Sequence, residues 1–451
     1  MVSKLNLITV STVASAILMF SGCAAVTGHG GSLKKFDKEL VANNCNFEEI
    51  DKKIEDNDDV ILWGIQGGSM ARNCNDYNKS TSLFDKAELK YKTDVDTDSV
   101  VGNVGESLGS VLVNNNVNDY EGNVYEKVMV NTYKGLNFMS MGDYNNARVE
   151  FHRALDRQRR AKEFFQKDIK KKQEELKSNP NNKAATNEKT QKAVYAKYDD
   201  IFKGFEAYPD FVNPFTTYSS GLFFLLDGES RKARDMFKEA LAMDPNNKQI
   251  KQDYDLANQI ASSTTEINKN YAWVIYENGN GMVNDEIRID LPLFLVSKNV
   301  MYTGMALPKL KERNYSYNHI DVNGVKTAEI ANMDRIIKTE FKKKLPGIVT
   351  EAVLNTIVKT VAQKQLKDKG GLVGGLFGAI YQGLTNKADV RNWTALPKSF
   401  QVARVELNGE PLVIKDDNGE VITTKKLASN SILYVRSSQR GHNIIHTIHP
   451  N

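Results

Sequence analysis

The chain has 451 residues, 41% of them hydrophobic and 26% charged. That is longer than one core usually serves, so two or three domains of ordinary globular composition are expected. Its 60 basic and 56 acidic residues leave a formal net charge of +4, too balanced a field to hold nucleic acid by charge alone.

The N-terminus carries an address. Lys4 precedes a largely apolar run, Leu5 to Phe20, and then come Ser21, Gly22 and Cys23. A positive start, an apolar run and small residues before a cut site describe a secretory signal. The run is shorter than the roughly 20 apolar residues a spanning helix needs. Cys23 directly after Ser21-Gly22 resembles a bacterial lipobox, with Phe20 where Leu is usual. That resemblance implies that 1–22 is a signal peptide and that Cys23 becomes the lipidated first residue. Each methylene of its acyl chains that enters a bilayer adds about 0.8 kcal/mol. Ala24 and Ala25 follow, without the Asp that resembles an inner-membrane retention signal. An outer-membrane lipoprotein facing the periplasm is therefore the expectation, against an ordinary signal peptide that happens to hold a Cys. Residues 23–32 would be a small, Gly-rich tether. Cys45 and Cys74 would then meet an oxidising compartment. Either they form one disulfide across a separation of 29, or they are two buried thiols, since spacing does not show whether their Cα atoms come within about 7 Å.

Helical patterning begins near Leu33, with Leu33, Phe36, Leu40 and Val41 on one face. Ile50, Ile54 and Val60 to Trp63 continue it. A polar break at Asn75 to Ser80 precedes a short helix from Ser82 to Lys92. Val100 to Val113 mixes Val and Gly and fits helix or strand. Tyr120 to Phe138 is helical.

Gly135 to Leu155 predicts two helices facing each other. Gly135 and Phe138 lie on the first, Ala147, Phe151 and Ala154 on the second, with Gly142-Asp143 as the turn and Tyr144 beside it. This spacing resembles a tetratricopeptide repeat, which implies a docking scaffold without chemistry of its own. Gly221, Phe224, Gly228, Ala233, Phe237 and Ala240 repeat the pattern at a constant offset of 86, and Pro245 ends it. Neither copy has the usual large residues at the first two consensus positions. Asn131 and Lys134 stand there in the first copy, Thr217 and Ser220 in the second. Between the copies, 157–205 reads as a charged helical hairpin broken at Ser178 to Asn187, its charge run a solvated face or a basic patch for phospholipid head groups or a polyanion.

After Ser262 the period shortens. Tyr271 to Tyr276 is a strand, and Asn278-Gly279-Asn280-Gly281 a turn. Ile287 to Leu295 alternates, with Pro292 making it an edge or terminal strand. Tyr315 to Val325 alternates around Asn323-Gly324. Met333 to Lys344 and Ile348 to Lys367 read as helices parted by Pro346-Gly347. In Gly370 to Leu384, Gly370, Gly374 and Gly378 fall four apart, a groove on a helix. Two readings stand for it: a packed helical hairpin within the domain, favoured on length, or a membrane-inserting or helix-docking segment. Short strands follow at Phe400–Leu407, Pro411–Lys415, Glu420–Thr424, Ile432–Arg436 and Asn443–Ile448, with turn signals at Asn408-Gly409 and Asn418-Gly419.

No phosphate-cradling loop and no Gly-x-Ser-x-Gly elbow is present. His442 and His446 share a face with each other but lack a fixed acidic or thiolate partner for a metal. With His449 they are expected in an exposed, weakly structured tail. No catalytic residue, metal or cofactor is expected. The fold expected is mainly α with a β-containing C-terminal part: a helical repeat domain over 33–265, then an α+β domain over 266–451.

The lipobox at Cys23, YAWVIYENGNG (Tyr271 to Gly281), the IRIDLPLF run, the Gly-rich segment and DVRNWTALPKSFQVARVEL (Asp389 to Leu407) together resemble a family of bacterial tetratricopeptide-repeat lipoproteins without an assigned activity. The resemblance implies an envelope location and a link to envelope assembly. The function expected is a lipid-anchored scaffold that binds a periplasmic or outer-membrane protein. The alternative is a membrane-active or pore-associated component using Gly370 to Leu384.

Overall fold

The computed structural model describes residues 29–91, 119–178, 188–205, 208, 213–262, 269–292, 302–354, 356 and 387–449. Cys23, the segment 100–113 and the Gly-rich segment 370–384 lie outside them.

Four helices open the described chain: α1 (Gly30–Val41), α2 (Glu48–Glu55), α3 (Val60–Asn73) and α4 (Tyr77–Lys90). α4 begins earlier than its apolar pattern suggests, because Asp76 caps it by accepting from the Lys79 amide at 2.9 Å. α3 is buried from Val60 to Arg72. A helix enclosed on all sides needs small residues where neighbours press closely, and α3 supplies Gly64, Gly67 and Gly68. A Cβ on Gly64 would lie 2.9 Å from that of Ala87 on α4.

Next come α5 (Val124–Ser140) and α6 (Tyr144–Ser178), the latter 35 residues long. The first arm of the expected charged hairpin is thus a continuation of α6. Its second arm is broken into α7 (Glu188–Tyr195) and α8 (Asp199–Phe202). There Tyr198 is buried, its hydroxyl donating to the Pro308 carbonyl at 2.8 Å. α9 (Pro214–Leu226), α10 (Ser230–Met243) and α11 (Lys248–Ser262) complete this part.

The rest is built on β1 (Tyr271–Asn278), β2 (Val283–Pro292), β3 (Tyr302–Lys311), β4 (Asp321–Val322), β5 (Val325–Lys326), β6 (Ala328–Asn332), β7 (Ser399–Glu406), β8 (Leu412–Lys415), β9 (Val421–Lys425), β10 (Ser431–Gln439) and β11 (His442–Ile448). A helix α12 at 333–354 separates β6 from β7. It runs through Pro346-Gly347, where two helices were expected. Phe341, Leu345, Val349 and Val353, four apart, are all buried along one stripe. That packing outweighs the bond lost at Pro346.

β1 is the centre of a five-stranded sheet ordered β11-β10-β1-β7-β6. It pairs parallel with β10 and antiparallel with β7. Its alternate residues serve two cores. Trp273 and Ile275, with Phe400, Val402, Ile432 and Tyr434, face the helices. Ala272, Val274 and Tyr276, with Ala403, Leu433 and Val435, face a four-stranded sheet ordered β5-β4-β8-β9. A strand buried on both faces reads as a continuous apolar run, as YAWVIY does. The layers are helices, large sheet, small sheet. One apolar core cluster extends from Leu33 through the helices to the large sheet.

Asn323-Gly324 and Asn418-Gly419 turn hairpins, β4–β5 and β8–β9. Asn408-Gly409 and the turn at Asn278 to Gly281 do not. They pass the chain from one sheet to another, because both edges of β1 (to β10 and β7) and of β7 (to β1 and β6) are already paired. Pro292 closes β2, which among the described residues pairs with β3 alone.

Candidate functional site

The two stretches at the 86-residue offset form matching helical hairpins, α5 with α6 and α9 with α10. In each, a glycine sits under an aromatic ring. A Cβ on Gly135 would lie 2.9 Å from the Phe151 ring, and one on Gly221 3.0 Å from that of Phe237. The turns match too. The Asp143 amide donates to the Phe138 carbonyl and the Glu229 amide to that of Phe224, both at 2.8 Å. Gly142 and Gly228 hold φ of +75° and +81°, angles that cost an L side chain roughly 1–2 kcal/mol. Ala147, Ala154, Ala233 and Ala240 are buried, as are Phe224 and Tyr144. The hairpins meet where Phe151 stacks on Phe223, centroids 5.0 Å apart. Four of the residues expected in the repeat core are not buried: Gly142, Gly228 and Pro245 are exposed in turns, and Phe138 is half-buried at a surface cleft.

The unusual consensus positions have their explanation in buried polar contacts, charged in the first copy and neutral in the second. Lys134, 3% exposed, holds Glu88 at 2.6 Å, Asp85 at 2.7 Å and Glu150 at 3.0 Å. Asn131 donates to Glu150 at 2.6 Å, and Arg157 reaches Glu88 at 3.1 Å. Burial pushes the Glu88 carboxyl up, but the Lys134 and Arg157 charges and the bonds from Lys134 and Asn131 outweigh it, holding it down at about 2. In the second copy Thr217 accepts from Gln158 at 3.0 Å, and Ser220 donates to the Thr216 carbonyl at 2.7 Å. Polar residues at these positions give no signal of partnership in the sequence, because Glu88 and Gln158 come from other helices.

A cleft of about 400 Å³ lies beside this network, between α4 and the end of α5. Leu89, Phe138 and Met141 line it with apolar surface, beside Thr81, Asp85 and Lys86. Leu89 is 63% exposed.

Cys45 and Cys74 are joined as a disulfide, their Cα atoms 6.0 Å apart. The bond ties the loop after α1 to the end of α3.

The WTALP segment is the joint between the helices and the sheet. Residues 391–397 are buried without regular structure, so side chains must satisfy their backbone. The Trp393 amide donates to Glu126 at 2.8 Å and its indole to Ser69 at 2.9 Å. Gln66 donates to the Asn392 carbonyl and accepts from the Ala395 amide, at 3.1 and 3.2 Å. Arg391 bridges Asp59 and Asp389, each at 2.8 Å.

The three C-terminal histidines do not form a loose tail. His442 and His446 lie on β11, and His449 follows it, its Nδ1 3.2 Å from Ser431 Oγ. His446 stacks on Tyr434 at 4.9 Å and meets Tyr77 at 5.5 Å. Its Nε2 is buried with no hydrogen-bond partner. Burial, and then the Arg72 charge, lower its pKa to about 3. Among the described residues no group of three His, Cys, Asp or Glu is placed to hold a metal ion. None of the described helices is long and apolar enough to cross a membrane.

Compared with protein-family models, curated proteins and solved structures, the chain matches none.

Proposed function

We propose that the chain is a non-enzymatic, lipid-anchored scaffold of the bacterial envelope. It is held to the outer membrane at Cys23, faces the periplasm, and binds a protein partner through a tetratricopeptide-like helical region. The observation that carries this reading is the Leu89–Phe138–Met141 cleft on the flank of the first hairpin. The matching hairpins at an offset of 86 support the repeat reading, and the cleft supplies a place to dock. Its chemistry suits an apolar side chain of a partner, flanked by a cation beside Asp85 and an anion beside Lys86.

The test is crosslinking in cells with the full-length lipoprotein, then pulldown, for the wild type and for Leu89→Asp and Phe138→Ser. Leu89 is exposed, so its replacement leaves the fold intact. One or two envelope proteins recovered with the wild type and lost with Leu89→Asp support the reading. An unchanged set of crosslinked proteins refutes it.

A further inference from the structure

α3 and α4 form a third hairpin of the same construction as α5–α6 and α9–α10. α3 and α5 end 67 residues apart, at Asn73 and Ser140, and α4 and α6 begin 67 apart, at Tyr77 and Tyr144. A Cβ on Gly68 would overlap the Phe84 ring, as one on Gly135 meets that of Phe151. The Asp76 amide donates to the Ala71 carbonyl at 2.9 Å, the bond that Asp143 and Glu229 make in their turns. Asn75 takes a positive φ of +58° where the other two turns have Gly142 and Gly228. Ala87 is buried like Ala154 and Ala240. Three matching hairpins meet at two successive interfaces, so the second interface shows what the first has room for.

In the second interface, where α6 meets the α9–α10 turn, basic side chains cover Phe224. The His152 ring lies 5.3 Å from the Phe224 ring and the Lys232 ammonium 5.2 Å from its centre. Arg148 pairs with Asp227 and Glu229 beside it. Phe224 is 1% exposed as a result. In the first interface Phe138 stands at the place of Phe224. Asp85, Asn146 and Thr81 stand at the places of His152, Lys232 and Arg148, 67 or 86 residues earlier. None of the three can lay a cation on the ring. Among the described residues no other ring or cation lies over Phe138, which stays half-buried at the α4–α5 cleft. Asp85 is already bonded to Lys134 at 2.7 Å, so the aromatic face carries the argument rather than a count of charges. Lys86 also lines the cleft. Its counterpart Arg153 turns to Glu150 at 2.7 Å and leaves Phe224 to Lys232 and His152.

We propose that this cleft receives an arginine or lysine side chain of the protein partner, laid over the Phe138 ring, from a segment whose apolar neighbour meets Leu89 and Met141. The proposal deepens the scaffold reading and rests on it. The face of an aromatic ring attracts a cation through its quadrupole, and a guanidinium can also stack on it in plane. The partner thus supplies from outside what Lys232 and His152 supply from within at the second interface.

The experiment is a saturation-transfer NMR titration of the full chain in detergent with two peptides, acetyl-alanine-leucine-X-leucine-alanine amide, where X is arginine or its neutral planar isostere citrulline. The arginine peptide is expected to bind about three- to fivefold more tightly. Asn146→Lys, at an exposed position that leaves folding intact, places an ammonium where Lys232 stands in the second interface. It should weaken the arginine peptide about fivefold. Phe138→Leu keeps the apolar contact and should remove the preference for arginine over citrulline, with a circular dichroism spectrum like the wild type's. Three results overturn the proposal: no binding of the arginine peptide at about 10 mM, equal affinity for the two peptides, or a preference that survives Phe138→Leu. Crosslinking in cells separates this proposal from the reading beneath it. A partner lost with Leu89→Asp and kept with Asn146→Lys overturns the basic contact and leaves the scaffold standing. A set of crosslinked proteins unchanged by Leu89→Asp refutes the scaffold and this proposal with it.

Discussion

Replacing His446 by Phe should remove a defined part of the protein's acid sensitivity. The imidazole packs against Tyr434 of β10 and Tyr77 of α4, with Arg72 of α3 close by. Its folded pKa is about 3, against 6.5 in the unfolded chain. The folded state therefore keeps the ring neutral, while the unfolded state takes up a proton as pH falls below 6.5. The stability it contributes is complete above pH 6.5 and is lost as pH falls towards 3. At 1.36 kcal/mol per unit, the difference between pH 7 and pH 5 is about 2 kcal/mol, and on the order of 5 kcal/mol is lost by pH 3. Phe keeps the ring stack, carries no proton and leaves no buried nitrogen without a partner. At pH 7 the variant should match the wild type or exceed it by about 1 kcal/mol. The assay is denaturant unfolding of both proteins at pH 7 and pH 5. Other titrating groups act equally in the two proteins, so the difference of differences isolates His446. A pH 7-to-5 loss in His446→Phe that agrees with the wild type within about 0.5 kcal/mol would refute the argument.

Lys134→Met should lower stability by about 3–5 kcal/mol, because it leaves Glu88 and Glu150 buried without their shared cation; the double variant Lys134→Met, Glu88→Leu should regain part of that loss in the same denaturation assay. Gly135→Ala should cost about 1–3 kcal/mol through overlap with the Phe151 ring, even though Ala is the better helix former by about 1 kcal/mol. A gain in melting temperature for this variant would show that the glycine is not set by close approach. Cys45→Ser with Cys74→Ser releases a loop spanning a separation of 29 and should cost about 3–4 kcal/mol, measured against the oxidised wild type. Addition of reductant should destabilise the wild type by a similar amount and leave the double variant unchanged.

Local pattern carried a good deal of this protein. The glycine-under-aromatic spacing around Gly135 and Gly221 is a short-range property, and the hairpins it announced are there with matching turns. The short strands read in the C-terminal segment likewise located β7, β8, β9 and β11 within one residue, while β10 runs three residues past its expected end. Local pattern also misled where a contact from far away decides the outcome. Pro346-Gly347 reads as a stop, but the buried stripe from Phe341 to Val353 carries α12 through it. His446 reads as tail, but the β10 edge recruits its strand and Tyr77 covers its ring.

The candidate cleft was not legible at all. Leu89 and Phe138 lie on helices whose faces look ordinary in sequence, and only the packing of α4 against α5 brings them together. The sequence by itself determined where the paired hairpin helices and strands such as β1 and β7 form, and which glycines permit the hairpins, because those depend on neighbours within one or two turns of chain. Tertiary structure alone decided that β1 pairs in parallel with β10, that Lys134 neutralises Glu88 and Glu150, and that WTALP is a buried joint held by Gln66 and Glu126. Each of these joins groups tens to hundreds of residues apart, and their free energy exists only once the core has brought them out of water together.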